Sequence, residues 1–424
     1  MGRLVAEVVL AVQMLAMAAP GSVAQSRAIP YRRHWSAPSA DPRIRASSAI
    51  LVDAATGQVL YERNADQRRE PASTTKIMTA ILLIERCPLD EVITASKRAQ
   101  DTGGSSLNLT AGERLTARDL LYSILLRSAN DSCVAVAERV AGAESKFAEL
   151  MTARAHQLGA TNTQFRNSNG LHDPGHYTTA RDLATLARYA CTLPVFNEVT
   201  RSKYHTIARS SNSRDVVLRN HAKILWKFPG ADGIKTGYTS PAGHCFVGSA
   251  TRGGWRLISV VMNSPDIVGE TSALLQYGFD RFDVVRFAAA GARMSDVPVQ
   301  NGESATVPGV AAGAVQCVVP KGSATSDYAV RTHYRDLAAP IAARQDIGTV
   351  EVWDRDRLVS STPLLAARSV GLSSAAAHRR SSGGWYIAGL LIAAGIAYAT
   401  TITKAPRIRG DRLSAILRGS HRGR

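Results

Sequence analysis

The sequence predicts an α+β architecture: one antiparallel sheet carrying a cluster of helices, then a small β-rich domain and a C-terminal transmembrane helix. Three observations point there. Strand-like runs open (residues 48–62) and close (residues 231–262) a region whose middle has helical periodicity. Residues 284–370 are rich in Val, Ala and Gly, with short alternating runs such as Gly313-Ala-Val-Gln-Cys-Val-Val and little helical period. Near the end, Trp385 to Thr401 is an uncharged, mostly apolar stretch.

In chain order, residues 1–24 read as a secretory signal: Met-Gly-Arg, a mainly apolar stretch, then Ser22-Val23-Ala24 as a small-x-small cleavage site. Residues 25–45, rich in Pro, Ser and Arg, are a linker. Residues 46–283 form the main domain. It begins with two short strands around Ala-Thr-Gly, a hairpin signal within Ser48–Glu62. Next, Pro71-Ala72-Ser73-Thr74-Thr75-Lys76 leads into Ile-Met-Thr-Ala-Ile-Leu-Leu-Ile-Glu, apolar enough all round for a buried helix, with Ser73 in its first turn. Helical periods follow at Glu113–Leu126, Asp131–Val140, Ser145–Leu158 and Thr179–Thr192, the second preceded by a break at Ser128-Ala129-Asn130. Strands are expected at 231–238, 243–250 and 255–262, divided by Ser-Pro-Ala-Gly and Arg-Gly-Gly turns, and a helix at Asp266–Phe282. Residues 371–384 are a Ser/Ala/Gly tether, residues 385–403 the transmembrane helix and residues 404–424 a basic cytoplasmic tail.

The chain has 424 residues and a formal charge of +17. Residues 382–424 hold seven basic and one acidic residue, and residues 1–45 six and two, which leaves +7 for the body. The excess lies mostly in the flanks, where it orients the chain in a membrane, so a nucleic-acid partner is not expected. The five cysteines (87, 133, 191, 245 and 317) are widely spaced with no C-x-x-C, which argues against a metal or redox centre. His172, Asp173 and His176 are interrupted by Pro174 and Gly175, so they lack the helical spacing of a zinc pair and read as a structured loop. No metal and no cofactor are expected.

Three short motifs carry the chemistry: Ser73-Thr74-Thr75-Lys76, Ser128-Ala129-Asn130 and Lys235-Thr236-Gly237. They fall on a helix start, an inter-helix turn and a strand. A serine hydroxyl is a poor nucleophile until a base takes its proton, and an amine one helical turn away serves only where burial or another cation lowers its pKa. Ser73 is therefore the expected nucleophile and Lys76 the proton acceptor. Ser128 and Lys235 can relay that proton to a leaving amine. Asn130 offers an amide to the substrate backbone or to Lys76. Lys235, Thr236 and Thr239 supply a cation and hydroxyls for a terminal carboxylate. Gly237 lets the strand approach closely, and the backbone N–H groups of Ser73 and Tyr238 are the expected oxyanion donors.

From about Ser48 to Phe282 the chain resembles the D-alanyl-D-alanine carboxypeptidases, the low-molecular-mass penicillin-binding proteins. The likeness extends beyond the three motifs to Ile-Leu-Val-Asp-Ala-Ala-Thr-Gly-Gln-Val-Leu-Tyr, to Asn169-Gly170-Leu171 running to Leu183, and to Asp232 through Thr239. It implies the fold shared by penicillin-binding proteins and serine β-lactamases, with a β-rich domain and a membrane anchor behind it. It also implies removal of the terminal D-alanine from the pentapeptide stem of peptidoglycan through an acyl-enzyme, outside the cell, with β-lactam antibiotics as covalent inhibitors. In Ser128-Ala129-Asn130 the middle residue is alanine where many relatives have glycine. A DD-endopeptidase would share all three motifs, and a non-catalytic wall-binding scaffold is the alternative from another class. A β-lactamase would need rapid deacylation, yet Thr161 to Asp173 contains no glutamate to activate water.

Overall fold

The computed structural model describes residues 42–211, 214–323 and 327–378. The expected signal peptide (1–24), most of the linker (25–45), the transmembrane run (385–403) and the basic tail (404–424) lie outside the described residues. Among the described residues no helix is long and apolar enough to cross a membrane.

The first unit comprises residues up to Val285 together with Gln316–Asp327. Its centre is a five-stranded antiparallel sheet. The strands are β1 (Ser48–Asp53), β2 (Val59–Arg63), β3 (Ala231–Thr239), β4 (Gly243–Arg252) and β5 (Trp255–Met262), in the order β2-β1-β5-β4-β3. Asp53 closes the first hairpin, its Oδ2 accepting from Thr56 N at 2.7 Å, and Gly57 takes the left-handed φ of +79° that the turn needs.

The strands are apolar on both faces because each face meets its own core. Side chains alternate across a strand, so Ile50 and Val52 enter one core while Ala49 and Leu51 enter the other. Ile258 and Val260 of β5 join the first, Leu257 and Val261 the second. The first core is walled by helices α1 (Lys76–Arg86), α2 (Asn130–Ala141), α3 (Glu144–Gln157) and α4 (Ala180–Ala190). The second is covered by α5 (Ile267–Arg281), which contributes Leu274 and Leu275. Every residue of α1 from Lys76 to Leu83 is buried, as expected for a helix without a polar stripe.

Two expectations change in detail. Ser73 does not occupy the first α-helical turn; it sits in a 3₁₀ turn, Ala72–Thr75, that feeds into α1. Ala72 holds a φ of +48°, and its carbonyl and Thr75 are crowded by the loop at Gly170, which leaves no room for a regular helix to start earlier. The helix expected from Glu113 begins later, at Ala117, because Arg114–Thr116 pairs with Val92–Thr94 and Thr116 caps the helix by accepting from Asp119 N.

Residues 316–327, inside the stretch expected to be purely the β-rich domain, belong to the first unit. Gln58 fixes them: its Nε2 donates to Val318 O at 2.6 Å and its Oε1 accepts from Val318 N at 2.9 Å. The second unit is β-rich. Its six-stranded sheet runs Tyr328–Tyr334, Asp346–Asp354, Arg357–Ala366, Thr306–Ala311, Arg293–Gln300 and Leu337–Ala338 in spatial order, antiparallel except for the last pair. Val297, Val307, Ile347, Val350 and Leu364 are fully buried in it.

Candidate active site

The 3₁₀ turn at Ala72–Thr75 is wedged between the edge strand β3 and the loop around Gly170. A Cβ added to Gly170 would stand 1.9 Å from Ala72 O, and one added to Gly237 would stand 2.8 Å from Ser73 N and 3.0 Å from Thr74 N. Two glycines thus let backbone press on the turn from both sides. Beside it opens a cleft of about 510 Å³ whose lining includes Ser73, Ser105, Ser128, Thr236, Gly237 and Tyr238.

Lys76 is wholly buried. Its Nζ lies 2.9 Å from Ser73 Oγ, 2.7 Å from Asn130 Oδ1 and 2.6 Å from the carbonyl of Asn169. Burial drives its pKa down from the ordinary lysine value to about 8, opposed by the nearby Cys133 and Asp131. The orientation of Asn130 is fixed because its Nδ2 donates to Gly103 O at 2.7 Å. Asn130 Oδ1 and the Asn169 carbonyl can only accept. A neutral Lys76 therefore spends both N–H groups on these two oxygens and turns its lone pair toward the Ser73 hydroxyl.

Ser128 follows a π-helical turn, Ser123–Arg127, and adopts a left-handed φ of +67°, which separates that turn from α2. Asn130 opens α2, and its backbone N–H donates to Ser105 O at 2.7 Å. Lys235, on β3, is also buried, with Nζ donating to Thr236 O at 2.8 Å. Burial and then the positive field of Lys76 hold its pKa well below the lysine range. Tyr238 is mostly exposed at the cleft edge, its ring tilted against His244 with centroids 4.4 Å apart. Thr239 ends the strand, and its Oγ1 accepts from Ala242 N at 3.2 Å within the turn that follows.

Several supporting residues have no signal in the three motifs. The Asp131 carboxylate, fully buried, accepts from Ser106 Oγ, Leu107 N, Leu109 N and Ser132 N, which pins the segment bearing Ser105. Glu144 accepts from Ser168 N and Ser168 Oγ and pairs with Arg98, holding the loop that delivers the Asn169 carbonyl. His176 receives Arg166 N at Nδ1, so its Nε2–H donates to Thr75 Oγ1 at 2.9 Å. Burial lowers its pKa to about 4, which keeps the ring neutral.

The sequence profile of the D-alanyl-D-alanine carboxypeptidase family matches residues 35–266, and that of the penicillin-binding protein 5 C-terminal domain matches residues 282–371. The D-alanyl-D-alanine carboxypeptidase DacD of Escherichia coli is 34% identical over 351 residues, covering 78% of this chain and 89% of its own length. The chain belongs to the D-alanyl-D-alanine carboxypeptidase family. Another family member, DacF of Bacillus subtilis, is 30% identical over 330 residues, covering 76% of this chain and 85% of its own. Among solved structures, penicillin-binding protein 5 of Haemophilus influenzae superposes with a TM-score of 0.65 at 31% identity, covering 79% of this chain and all of that one. The family fold, a sheet carrying helices followed in sequence by a β-rich domain, is the one described above.

Proposed function

We propose that the chain is a serine D-alanyl-D-alanine carboxypeptidase that removes the terminal D-alanine from peptidoglycan pentapeptide stems through an acyl-enzyme on Ser73. One observation carries this reading. The buried Lys76 amine, its pKa brought to about 8, faces the Ser73 hydroxyl across 2.9 Å while two acceptor-only oxygens use its N–H groups.

Lys76 takes the Ser73 proton as Oγ attacks the penultimate D-alanine carbonyl, and the C–N bond to the terminal D-alanine breaks as the tetrahedral species collapses. The backbone N–H groups of Ser73 and Tyr238 receive the oxyanion; the close approach allowed by Gly237 supports this pairing. Ser128 passes the proton to the departing amine. Lys235 and Thr236 bind the terminal carboxylate, and the incoming charge restores the protonated form of Lys235 that burial disfavours. Asn130 holds both Lys76 and the substrate backbone. Thr239 adds a further hydroxyl for the terminal carboxylate, while its Oγ1 also accepts from Ala242 N in the turn that ends β3. Water then hydrolyses the acyl-enzyme.

A β-lactam supplies a strained amide with a carboxylate in the same relation, so covalent inhibition belongs to the reading. The full domain order belongs to it too: signal peptide 1–24, catalytic domain 46–283, β-rich domain 284–370 and a membrane anchor at 385–403 that holds the enzyme on the outer face of the membrane. The uncharged run Trp385–Thr401 followed by a basic tail supports the anchor. Release of free D-alanine from a peptide ending in D-Ala-D-Ala, by the full chain and not by Ser73→Ala, is the test. A penicillin adduct on Ser73 without such release would shift the reading to a DD-endopeptidase. Neither release nor adduct would leave a wall-binding scaffold.

A further inference from the structure

Beyond the cleft lies a surface with no part in the bond-breaking chemistry. The hairpin Tyr204–Ile207/Val216–Arg219 buries Ile207 and Leu218 on one face. Its other face presents Tyr204 directly opposite Arg219, with Val217 beside them, and Tyr204 and Val217 are 55% and 63% exposed. Trp226 stands at the foot of this face, edge-on to Tyr204 with centroids 6.1 Å apart. Its ring carries the Arg219 guanidinium at 5.2 Å and the Lys203 ammonium at 5.7 Å. Such stacking holds two cations in place beside an open phenol ring.

Among the described residues, Lys203, Arg219, Lys223 and Lys227 form no ion pair with a carboxylate. Surface cations with no partner, fixed on an aromatic ring, suit an anionic ligand that also offers a flat apolar face. The surface neighbours the cleft along the chain: Lys223 lines the cleft, and one short turn joins it to Trp226, whose backbone N–H donates to Lys223 O. That turn covers about 5 Å. A peptide whose end lies against Ser73 and whose stem runs back past Lys223 brings its remote end onto this face; three extended residues span about 10 Å.

We propose that Tyr204, Arg219 and Lys203, with Trp226 as the positioning residue, bind the sugar-linked, carboxylate-bearing end of the stem peptide. The sugar ring stacks on Tyr204 and the carboxylates pair with the two cations. This rests on the peptidoglycan reading of the cleft, and it makes the enzyme prefer stems still attached to glycan over free peptides.

The test compares the full chain with Tyr204→Ala and with Lys203→Glu/Arg219→Glu, which alter exposed side chains only. Two substrates are used: an N-acylated tripeptide ending in D-Ala-D-Ala, and a disaccharide pentapeptide with the same ending. The expected result is a loss of about tenfold in kcat/KM on the disaccharide substrate, the size of one good stacking or charge contact. Cleavage of the tripeptide and acylation by penicillin stay within about twofold. Equal loss on both substrates, or no loss on either, overturns the proposal.

A second arm measures equilibrium binding of the disaccharide tetrapeptide, which lacks the terminal D-alanine, by fluorescence polarisation. Weaker binding by both variants supports the surface even if wild-type enzyme releases D-alanine from neither substrate, which would overturn the activity alone. Unchanged binding sinks the surface. So does binding by wild type of a phosphate-bearing wall polymer in place of the disaccharide peptide.

Discussion

Replacing Gly237 by alanine isolates the close approach on which the proposed oxyanion site depends. The added methyl would stand 2.8 Å from Ser73 N, 3.0 Å from Thr74 N and 3.1 Å from Ala72 Cβ. Relaxed non-bonded contacts lie near 3.5 Å, so strand and turn must separate by roughly 0.7 Å at the tightest of these. None of the three atoms is the tip of a flexible side chain, and the turn has nowhere to retreat because Gly170 already packs against Ala72 O from the other side. The displacement falls on the Ser73 and Tyr238 N–H groups. Losing alignment of one oxyanion donor costs about 10²–10³ in rate, so Gly237→Ala should acylate with a fluorescent penicillin about 10²-fold more slowly than wild type. Overpacking should also lower unfolding stability by about 1–3 kcal/mol, so both proteins are compared well below their melting temperatures. Acylation of Gly237→Ala within about twofold of wild type would refute the argument that this contact sets the geometry.

Further outcomes follow from the same geometry. The rate of acylation should rise with pH along a limb centred near 8, as Lys76 loses its proton, and a limb centred near the free lysine value would contradict the burial argument. Lys76→Arg keeps the charge but cannot deprotonate, and should lower acylation by about 10²–10⁴. His176 is neutral in the fold down to about pH 4, whereas the unfolded chain protonates it near 6.5. The unfolded state then binds more protons, so stability should fall as pH drops from about 6.5 to 4, by roughly 3 kcal/mol. His221, lowered to about 4 chiefly by burial, adds a share of its own, so His176→Asn should flatten only part of the pH dependence of the urea midpoint. Finally, a chromogenic cephalosporin should acylate the enzyme and stay bound. Residues 161–173 hold no glutamate, and Glu144 is committed to Ser168 and Arg98; rapid turnover would be incompatible with that.

Much of the first unit was legible because its signals are local. The apolar runs of β1, β4 and β5 and the mostly apolar stretch of α1 from Ile77 to Leu83 announce burial from composition alone. The serine, lysine and asparagine that meet at the cleft could be read because a side chain's chemistry is written in its residue type. The Asn169 carbonyl could not, since a backbone oxygen leaves no mark on residue type, and its delivery depends on Glu144 and Gly170 from separate parts of the chain. Asp131 sits one residue past a motif, yet its acceptors' partners lie 22 to 25 residues earlier. The hairpin Tyr204–Ile207/Val216–Arg219 was missed because its strands are short and its exposed face carries Tyr204 and Val217, which blurs the alternation. Thr239 carries a second task that its residue type did not announce: its Oγ1 accepts from Ala242 N in the turn that ends β3.

The return of residues 316–327 to the first unit has a consequence for biogenesis. Val318 fills a place in the second core and satisfies both ends of the Gln58 amide. A nascent chain that has emerged only to residue 285 has every strand of the central sheet and every motif, yet leaves Gln58 without its partner and that core open. Completion of the catalytic unit must wait for roughly the next forty residues, a stretch that includes the first strands of the following unit. The N-terminal unit therefore does not close as an independent event ahead of that stretch. A chain that stops short of residue 318 is expected to present a protease with an unsealed apolar face.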